Sequence, residues 1–224
     1  MPQNNLRHAI GCLQAIVKYL NLCEDEGNYN QFHVHDLDIN KFVRLDNAAI
    51  NALLVFPKLD DGNSNTYDSI FGLLNVCETV QGKRLLHTWL KQPLRDINLI
   101  SERLEIVETF LNDSETRNML SSNLIHFPDF ITISKKLNSK RAKLKDCYKI
   151  YEAVISIPAL IKALSRTNNK YVRAVLENPL FDLYEDLKNY RAMIEQTLDM
   201  EQVDKGEFLV KSTFDPQLAG IHTF

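Results

Sequence analysis

Residues 79–94, TVQGKRLLHTWLKQPL, form the stretch of this sequence that says most about its fold. A glycine and a basic pair precede a leucine-rich segment with the chain's single tryptophan, and a proline follows. Because leucines surround Trp89 at helical spacing and Pro93 restricts the residue before it, the pattern predicts a helix over residues 81–92. We expect Trp89 to lie in the core, where truncation to alanine would cost about 3–5 kcal/mol.

The composition is that of a mainly helical globular chain. Of 224 residues, 45% are hydrophobic and 25% are charged, while glycine and proline number only seven each. This scarcity of turn-forming residues argues against a loop-rich all-β protein. The formal charge of -3 argues against a globally basic nucleic-acid-binding protein, although a local basic patch stays possible. No run of eighteen apolar residues and no secretory segment occurs, so we expect an intracellular chain without a membrane partner.

The first part of the chain is predicted to contain two helices and a short β element. Apolar residues at i, i+4 and i+7 spacing from Leu6 to Leu20 predict a first helix of about five turns. Alternating polar and apolar residues in QFHVHDLDIN (31–40) and KFVRLD (41–46) predict two short strands, a β element near residues 31–45. Asp46 is expected to cap a second helix that Pro57 ends, and residues 57–68 have the composition of an exposed loop.

From Ser69 onward the chain is predicted to be a series of helices. Their expected bounds are 69–77, 81–92, 96–112, 114–124, 129–138, 143–157, 159–166, 170–177 and 181–198. The expected breaks fall at Pro93, Pro128, Pro158 and Pro179, and Asp96 and Asp129 are plausible N-caps. Three apolar stripes at helical spacing are expected to pack against one another. They are Ile100, Leu104, Val107 and Leu111; Leu144, Tyr148, Tyr151 and Ile155; and Leu183, Leu187, Tyr190, Ile194 and Leu198.

Neither catalysis nor metal binding has a specific signature in the sequence. His33 and His35 would share a strand face near Asp36 and Asp38, but without a fourth ligand at a recognisable spacing they are better interpreted as surface residues. The acidic runs lack an apolar wall that would shift a pKa, and no nucleophile motif is present. Four widely spaced cysteines favour reduced thiols over a disulfide framework; these are Cys12, Cys23, Cys77 and Cys147.

Gly82 and Lys83 superficially match the end of a phosphate-binding loop. That motif requires glycine at position 77 and a hydroxyl residue at position 84, where this chain has Cys77 and Arg84. The sequence therefore predicts no catalytic residue, no cofactor-binding residue and no metal ligand in this chain.

Six positive charges lie within eleven residues, which is enough to favour phosphate if they converge. The run has no aromatic residue for stacking and spans a predicted helix, turn and helix, so a solvated junction or a protein contact is the favoured interpretation. No DNA-binding residue is therefore assigned. The six residues are Lys135, Lys136, Lys140, Arg141, Lys143 and Lys145.

Several blocks of the sequence resemble the MutS family of DNA mismatch-repair proteins, especially its eukaryotic members. They follow the order of that family and begin with LDNAAINAL and the stretch TVQGKRLLHTWLKQPL. One departure is Val80, where bacterial members usually have proline. The blocks are 45–53, 79–94, 96–110, 127–137, 144–154 and 199–218, and the last of these is the most discriminating.

This resemblance implies a mainly α fold, the multi-helix core or lever domain of the family. Residues 1–24 are expected to be a helix from the end of the connector domain, residues 25–218 the first part of the core domain, and residues 219–224 an atypical end. The clamp and ATPase domains of the family have no counterpart in these residues. The Phe-x-Glu mismatch motif of some members is also missing.

The resemblance further implies that the full-length family protein binds mismatched double-stranded DNA, together with ATP and Mg. It would do so in the nucleus as a heterodimer with another MutS-homologue subunit. This segment would link the clamp to the ATPase and would not be an enzyme by itself. The alternative is a free-standing helical protein-interaction module without DNA or ATP activity. A hydrolytic or metal enzyme lacks an assembled set of residues.

Overall fold

The computed structural model describes residues 3–24, 28, 32, 34, 39–57, 66–211 and 214. It divides into a first unit of residues 1–39 and a second unit of residues 40–224. The histidines and aspartates considered above as metal ligands, the predicted loop tip at 58–65 and residues 215–224 lie outside the described residues.

The first unit contains one long helix. Helix α1 runs from Gln3 to Tyr19, which confirms the helix predicted from the apolar stripe. Within this unit, the apolar side chains of Ile10, Leu13 and Ile16 are exposed. No helix among the described residues is long and apolar enough to cross a membrane.

The second unit is a succession of helices, which confirms the helical class. Its elements are α2 Asn47–Ala52, α3 Ile70–Leu74, α4 Val80–Lys91, α5 Ile97–Asn112, α6 Ser114–Leu124, α7 Phe130–Asn138, α8 Leu144–Leu164, α9 Lys170–Val172, a π-helical segment Arg173–Glu177, α10 Asn178–Asp186, α11 Lys188–Thr197 and α12 Met200–Val203. Single-turn 3₁₀ helices occupy Ile39–Lys41 and Thr66–Asp68.

Short polar side chains begin many of these helices by accepting hydrogen bonds from the backbone of the first turn. Asp46 and Asp96 do so as the sequence predicts, with Asp46 Oδ1 2.7 Å from the Ala49 N–H nitrogen. Thr79 caps α4 by accepting from Gly82. Asp129 occupies the N-cap position of α7 but makes no hydrogen bond to its backbone, because its carboxylate binds side chains instead.

Most of the first half of the β element predicted near residues 31–45 lies outside the described residues, and its described part contains one bridge. Phe42 forms an isolated antiparallel bridge with Leu94, and the described residues hold no strand. The Val43 N–H donates to the Pro93 carbonyl at 2.8 Å, and the Arg95 N–H donates to the Lys41 carbonyl at 2.9 Å. The strand expected over residues 41–46 cannot extend, because Asp46 already begins α2.

Three predicted helix boundaries are wrong. Pro179 does not end a helix, because it lies inside the unbroken helical run of α9, the π-helical segment and α10. Pro158 lies inside α8 and does not end it. The lost backbone donor is tolerated because buried Val154, Ile157 and Leu160 hold the helix in place on both sides of the proline. The helix predicted over 181–198 is instead split at Leu187, whose backbone leaves the regular helical conformation at φ -88° and ψ 3°.

The core lies around α8, which packs against α6, α10 and α11. Its buried side chains include Val154, Leu160, Ala163 and Leu164, each at most 3% exposed. The stripe on α5 does not join this core, since Leu104, Val107 and Leu111 are 61%, 60% and 69% exposed. The expectation that this stripe is covered by another helix is therefore wrong for these three residues, whereas the fourth member, Ile100, is partly buried.

Candidate functional site: polar junctions between the helices

The second unit is held together by polar contacts between helices that are distant in sequence. The α4–α7 junction consists of Gln81, Arg84, Pro128 and Asp129. Arg84 donates through Nη1 and Nη2 to the two carboxylate oxygens of Asp129, each at 2.8 Å. Gln81 Nε2 donates to the Pro128 carbonyl at 2.6 Å. Such a bidentate pair fixes orientation as well as distance, so α4 and α7 are locked together.

Electrostatics at the α4–α7 junction favour the ionised pair. The hydrogen bonds from Arg84 and from the Thr132 hydroxyl hold the pKa of Asp129 well below its usual range. The same contact raises the pKa of Arg84. Because Asp129 is only 19% exposed and Arg84 46%, the pair is half-shielded from water and is screened less than a fully exposed pair.

Acidification is expected to weaken this junction. The folded-state pKa of Asp129 lies below its unfolded value of about 3.9, so the stabilisation is present above that pH and is lost as the pH falls through the folded pKa. We expect the melting temperature to drop below about pH 4, with a shallower drop in Asp129→Asn. Asp182→Asn, at an exposed position of α10, is the control. Equal acid dependence in both variants would contradict this assignment.

A second set of contacts, the α8–α11 junction, consists of Cys147, Tyr151, Tyr190, Arg191 and Glu195. Tyr151 donates to Glu195 Oε1 at 3.2 Å, and Arg191 Nε donates to the same oxygen at 2.8 Å. The Tyr190 hydroxyl donates to the Cys147 carbonyl at 2.8 Å. Burial, together with this hydrogen bond, raises the pKa of Tyr190 to about 12. The junction therefore fixes α11 against α8.

The chain that follows α12 returns to this junction. Leu198 and Val210 form an isolated antiparallel bridge, and the Lys211 N–H donates to the Thr197 carbonyl at 2.8 Å. Lys211 Nζ also donates to the Glu195 carbonyl at 2.5 Å. Leu198 is fully buried beneath these contacts. Residues from the block 199–218 thus close one end of the α8–α11 pair.

Smaller contacts join the remaining helices. Asp113 caps α6 and accepts from the hydroxyl of buried Thr116 at 2.6 Å. Arg166 lies 2.9 Å from Glu115, which ties the end of α8 to α6. Asn169 Nδ2 donates to Thr109 Oγ1 at 2.8 Å and connects the start of α9 to α5.

Trp89 is not a core residue, which corrects the sequence prediction. Its side chain is 40% exposed, and the Arg103 guanidinium lies 3.7 Å from the centre of its ring. This stacking joins α4 to α5 and is favourable because the ring face is electron-rich. Periodicity showed that Trp89 shares a helix face with leucines. It could not show that Arg103 of α5 stacks on the ring.

The Trp89–Arg103 stack makes a fluorescence experiment informative, because Trp89 is the only tryptophan of the chain. We expect Arg103→Ala to expose the indole and shift its emission to longer wavelength. Trp89→Ala should lower the free energy of unfolding by about 1–2 kcal/mol, less than a core tryptophan would. Arg117→Ala, on α6, is the control for the emission shift. An unchanged emission in Arg103→Ala would argue against the stack.

The six cations singled out in the sequence surround the turn between α7 and α8. Lys136 Nζ lies 2.7 Å from Asp146 Oδ1, and Asp146 Oδ2 accepts from the Lys143 N–H at 3.1 Å. Lys136 and the Lys143 backbone lower the pKa of Asp146. The other cations of the group are exposed.

The remaining candidates from the sequence supply no reactive site. The four cysteines are free thiols, with Cys12 and Cys23 exposed. Among the described residues, no group of three or more histidine, cysteine or acidic side chains could hold a metal ion. Gly82 lies in the first turn of α4, where an added Cβ would stand 3.1 Å from Thr79 Oγ1. This glycine serves close packing at the helix cap.

Sequence reasoning missed both junctions. Arg84 and Asp129 each lie in a block that resembles the MutS family, but their pairing spans 45 positions and has no periodic signature. The only available signal was that Arg84 and Asp129 stand within such blocks. The bidentate pair therefore connects two blocks that the sequence presents separately.

Comparison with known proteins shows the family of this chain. The family described as MutS domain III matches residues 48–213. The chain is 36% identical over 222 residues to DNA mismatch repair protein spellchecker 1 of Drosophila melanogaster, covering 97% of this chain and 24% of that protein. It is 37% identical to DNA mismatch repair protein msh-2 of Neurospora crassa, with coverage of 97% and 24%.

It is also 31% identical over 250 residues to DNA mismatch repair protein MSH2 of Saccharomyces cerevisiae, covering 100% of this chain and 26% of that protein. The chain thus spans about a quarter of the length of these relatives. The matched family and the identity to these relatives lead to one conclusion. This chain belongs to the MutS family of DNA mismatch-repair proteins, and its residues 48–213 correspond to MutS domain III.

Proposed function

We propose that this chain is the helical core, or lever, portion of a DNA mismatch-repair recognition protein. In this role it links the part of the protein that grips DNA to the part that hydrolyses ATP. The observation that carries the proposal is the α4–α7 junction, where Arg84 and Asp129 join two family-like blocks through a bidentate pair. A lever has to move as one body, and such contacts resist rotation of one helix against another.

Helix α8 supports this proposal by its length and its packing. Its 21 residues span about 30 Å at 1.5 Å per residue. It is buried against α6, α10 and α11 and is tied to α11 by the Tyr151–Glu195 and Tyr190–Cys147 hydrogen bonds. Densely packed helices shift as units instead of deforming continuously, so a displacement at one end is delivered to the other.

The proposal extends to what the whole protein does. It would bind mismatched double-stranded DNA and ATP with Mg, pair with another MutS-homologue subunit and act in the nucleus. The names of its relatives support a role in DNA mismatch repair. In this proposal the present chain contributes transmission, and the ATP-binding and DNA-gripping parts are supplied by the rest of the protein.

A chimera tests the proposed transmission. Residues 48–213 would replace the corresponding segment of the Saccharomyces cerevisiae MSH2 protein, which would be purified with its MutS-homologue partner. ATP hydrolysis would be measured with and without a mispaired duplex. We expect the duplex to stimulate hydrolysis in the chimera, and Arg84→Glu to abolish the stimulation while leaving basal hydrolysis and duplex binding intact.

Two further variants complete this experiment. Adding Asp129→Arg to Arg84→Glu should restore part of the stimulation, because the pair is re-formed with its charges exchanged. Arg173→Glu, whose ion-pair partner Glu177 lies one turn away, is the matched control and should leave the stimulation unchanged. Full stimulation in Arg84→Glu would refute transmission through the α4–α7 junction.

A second candidate function is a helical protein-interaction module without DNA or ATP activity. The observation that favours it is the exposed stripe of Leu104, Val107 and Leu111 on α5. In that case the double substitution Leu104→Lys with Leu111→Lys would reduce duplex-stimulated ATP hydrolysis by the chimera as strongly as removal of residues 48–213 does. Junction variants such as Arg84→Glu would then leave it unaffected.

A further inference from the structure

The turn between α7 and α8 carries an uncompensated positive surface. We define the basic turn as the exposed cations on either side of this connection. Lys136 is left out because Asp146 pairs with it. The members of the basic turn are Lys135, Lys140, Arg141, Lys143, Lys145 and Lys149.

The backbone of the basic turn is fixed. The Arg141 N–H donates to the Lys136 carbonyl at 2.9 Å, and the Lys140 N–H donates to the Leu137 carbonyl at 3.0 Å. Lys140 itself adopts a left-handed conformation with φ 55°. This pattern ends a helix with an abrupt reversal. The Lys136–Asp146 pair at 2.7 Å then joins the end of α7 to the start of α8. The cations are therefore presented from one end of a helical hairpin.

The charge balance of the basic turn differs from that of the other helix ends. Asp146 is the only acidic residue between positions 135 and 149, and it is buried and already satisfied by Lys136 and the Lys143 N–H. Within the described residues, no member of the basic turn forms an ion pair, and what distinguishes it from other unpaired cations is the number of positive charges in fifteen positions. Solvation alone does not require six like charges so close together, and their mutual repulsion is unfavourable.

The surroundings limit what this surface could recognise. Phe208 lies 5.7 Å from Lys145 Nζ, and its ring packs with half-buried Tyr148. These rings are not free to stack on bases. Burial raises the pKa of Tyr148, and the charges of Glu152, on the next turn of α8, and of Asp204, after α12, add to this shift. What remains is a set of exposed ammonium groups and one guanidinium, which suits phosphate oxygens and includes no free aromatic ring.

We propose that the basic turn binds the phosphate backbone of double-stranded DNA without reading its sequence or its mispair. This inference rests on the proposed function, because it gives the lever portion its own contact with the DNA that the whole protein handles. An acidic protein segment would be a different partner. The clustering at one rigid turn favours a regularly spaced polyanion, since neighbouring cations would meet successive phosphates.

The test is binding of the complete 224-residue chain to a fluorescent 30-base-pair duplex, matched or with one mispair, across a salt series. The variant is Lys140→Gln, Arg141→Gln and Lys143→Gln together. The control is Lys83→Gln, Lys91→Gln and Lys162→Gln together, which removes the same charge from exposed positions on other turns. Circular dichroism would verify that both variants keep the helical content of the parent chain.

We expect the basic-turn variant to bind the duplex about tenfold more weakly than the parent chain at low salt. The negative slope of log affinity against log salt concentration should become shallower by about 2–3, because three phosphate contacts are removed. The control should bind within about twofold of the parent, and matched and mispaired duplexes should bind alike. Equal losses in variant and control, or unchanged binding in the variant, would overturn the proposal. Unlabelled polyglutamate of equal charge would also be tested as a competitor of the labelled duplex. If it displaced the duplex as effectively as unlabelled duplex does, the partner would be an acidic protein segment and the proposal would be overturned.

This outcome can be separated from failure of the proposed function. The chimera measures how a mispaired duplex stimulates ATP hydrolysis, whereas this experiment measures duplex binding by the chain alone. A chain that does not bind DNA leaves the transmission role of the α4–α7 junction intact. A chimera that fails while the basic turn binds DNA would leave the present inference standing.

Discussion

Replacing Leu198 with alanine is expected to lower the free energy of unfolding by about 2–5 kcal/mol. Leu198 is fully buried where α11 ends. It forms an antiparallel bridge with Val210, which belongs to the segment that follows α12 and is called the returning segment here. Truncation would remove packing from three partners at once, because α8, α11 and the returning segment meet there. The surrounding backbone hydrogen bonds, such as that from the Lys211 N–H to the Thr197 carbonyl at 2.8 Å, limit collapse into the cavity.

Chemical denaturation followed by circular dichroism measures this effect. Leu111→Ala is the matched control, because Leu111 is 69% exposed and its truncation should cost less than about 1 kcal/mol. If the two variants lose equal stability, Leu198 is not the packing centre of this end of the unit.

The second large effect is expected from Ala163→Leu. Ala163 is fully buried on α8, between Leu160 and Leu164, where the helix packs against its neighbours. Three additional heavy atoms cannot fit there without moving a helix, so the variant should lose about 1–3 kcal/mol of stability or more. The mechanism is overpacking, the opposite of the cavity that Leu198→Ala creates.

Ala159→Leu is the matched control for this substitution. It lies one turn earlier on α8 and is exposed, so the same added side chain should have little effect on stability there. Both melting temperatures would be measured under identical conditions. If Ala163→Leu lowers the melting temperature no more than Ala159→Leu does, the α8 interface is less tightly packed than the burial of Ala163 indicates.

The helices could be predicted from the sequence because their causes are local. The caps Asp46 and Asp96 stand within three residues of the backbone donors they satisfy. Apolar spacing gave α1, α5 and α6 to within a few residues of their observed bounds. Pro158 misled the prediction because burial on both sides of a proline can outweigh the lost hydrogen bond.

What covers each apolar face could not be predicted. The stripe of Leu104, Val107 and Leu111 has the same spacing as Ile157, Leu160 and Leu164, yet only the second set is buried. Periodicity identifies a face, while burial depends on which helix lies opposite. Trp89 shows the same limit, since its partner Arg103 comes from the next helix.

The candidate site was equally inaccessible to local reasoning. The α4–α7 junction joins residues 45 positions apart, and the α8–α11 junction joins residues 43 and 44 apart. No spacing rule connects them. The resemblance to the MutS family identified the blocks that hold Arg84 and Asp129, but only the structure shows that the two side chains meet.

The most direct test of a mismatch-repair role is the mutation rate of yeast cells that depend on the chimera. Saccharomyces cerevisiae lacking its MSH2 gene would carry the chimera with residues 48–213 of this chain, with expression matched to that of the native protein. We predict a mutation rate close to that of cells with native MSH2, and a clear increase with Arg84→Glu that adding Asp129→Arg partly reverses. A chimera expressed at the native level whose cells mutate as fast as cells without MSH2 would contradict this account.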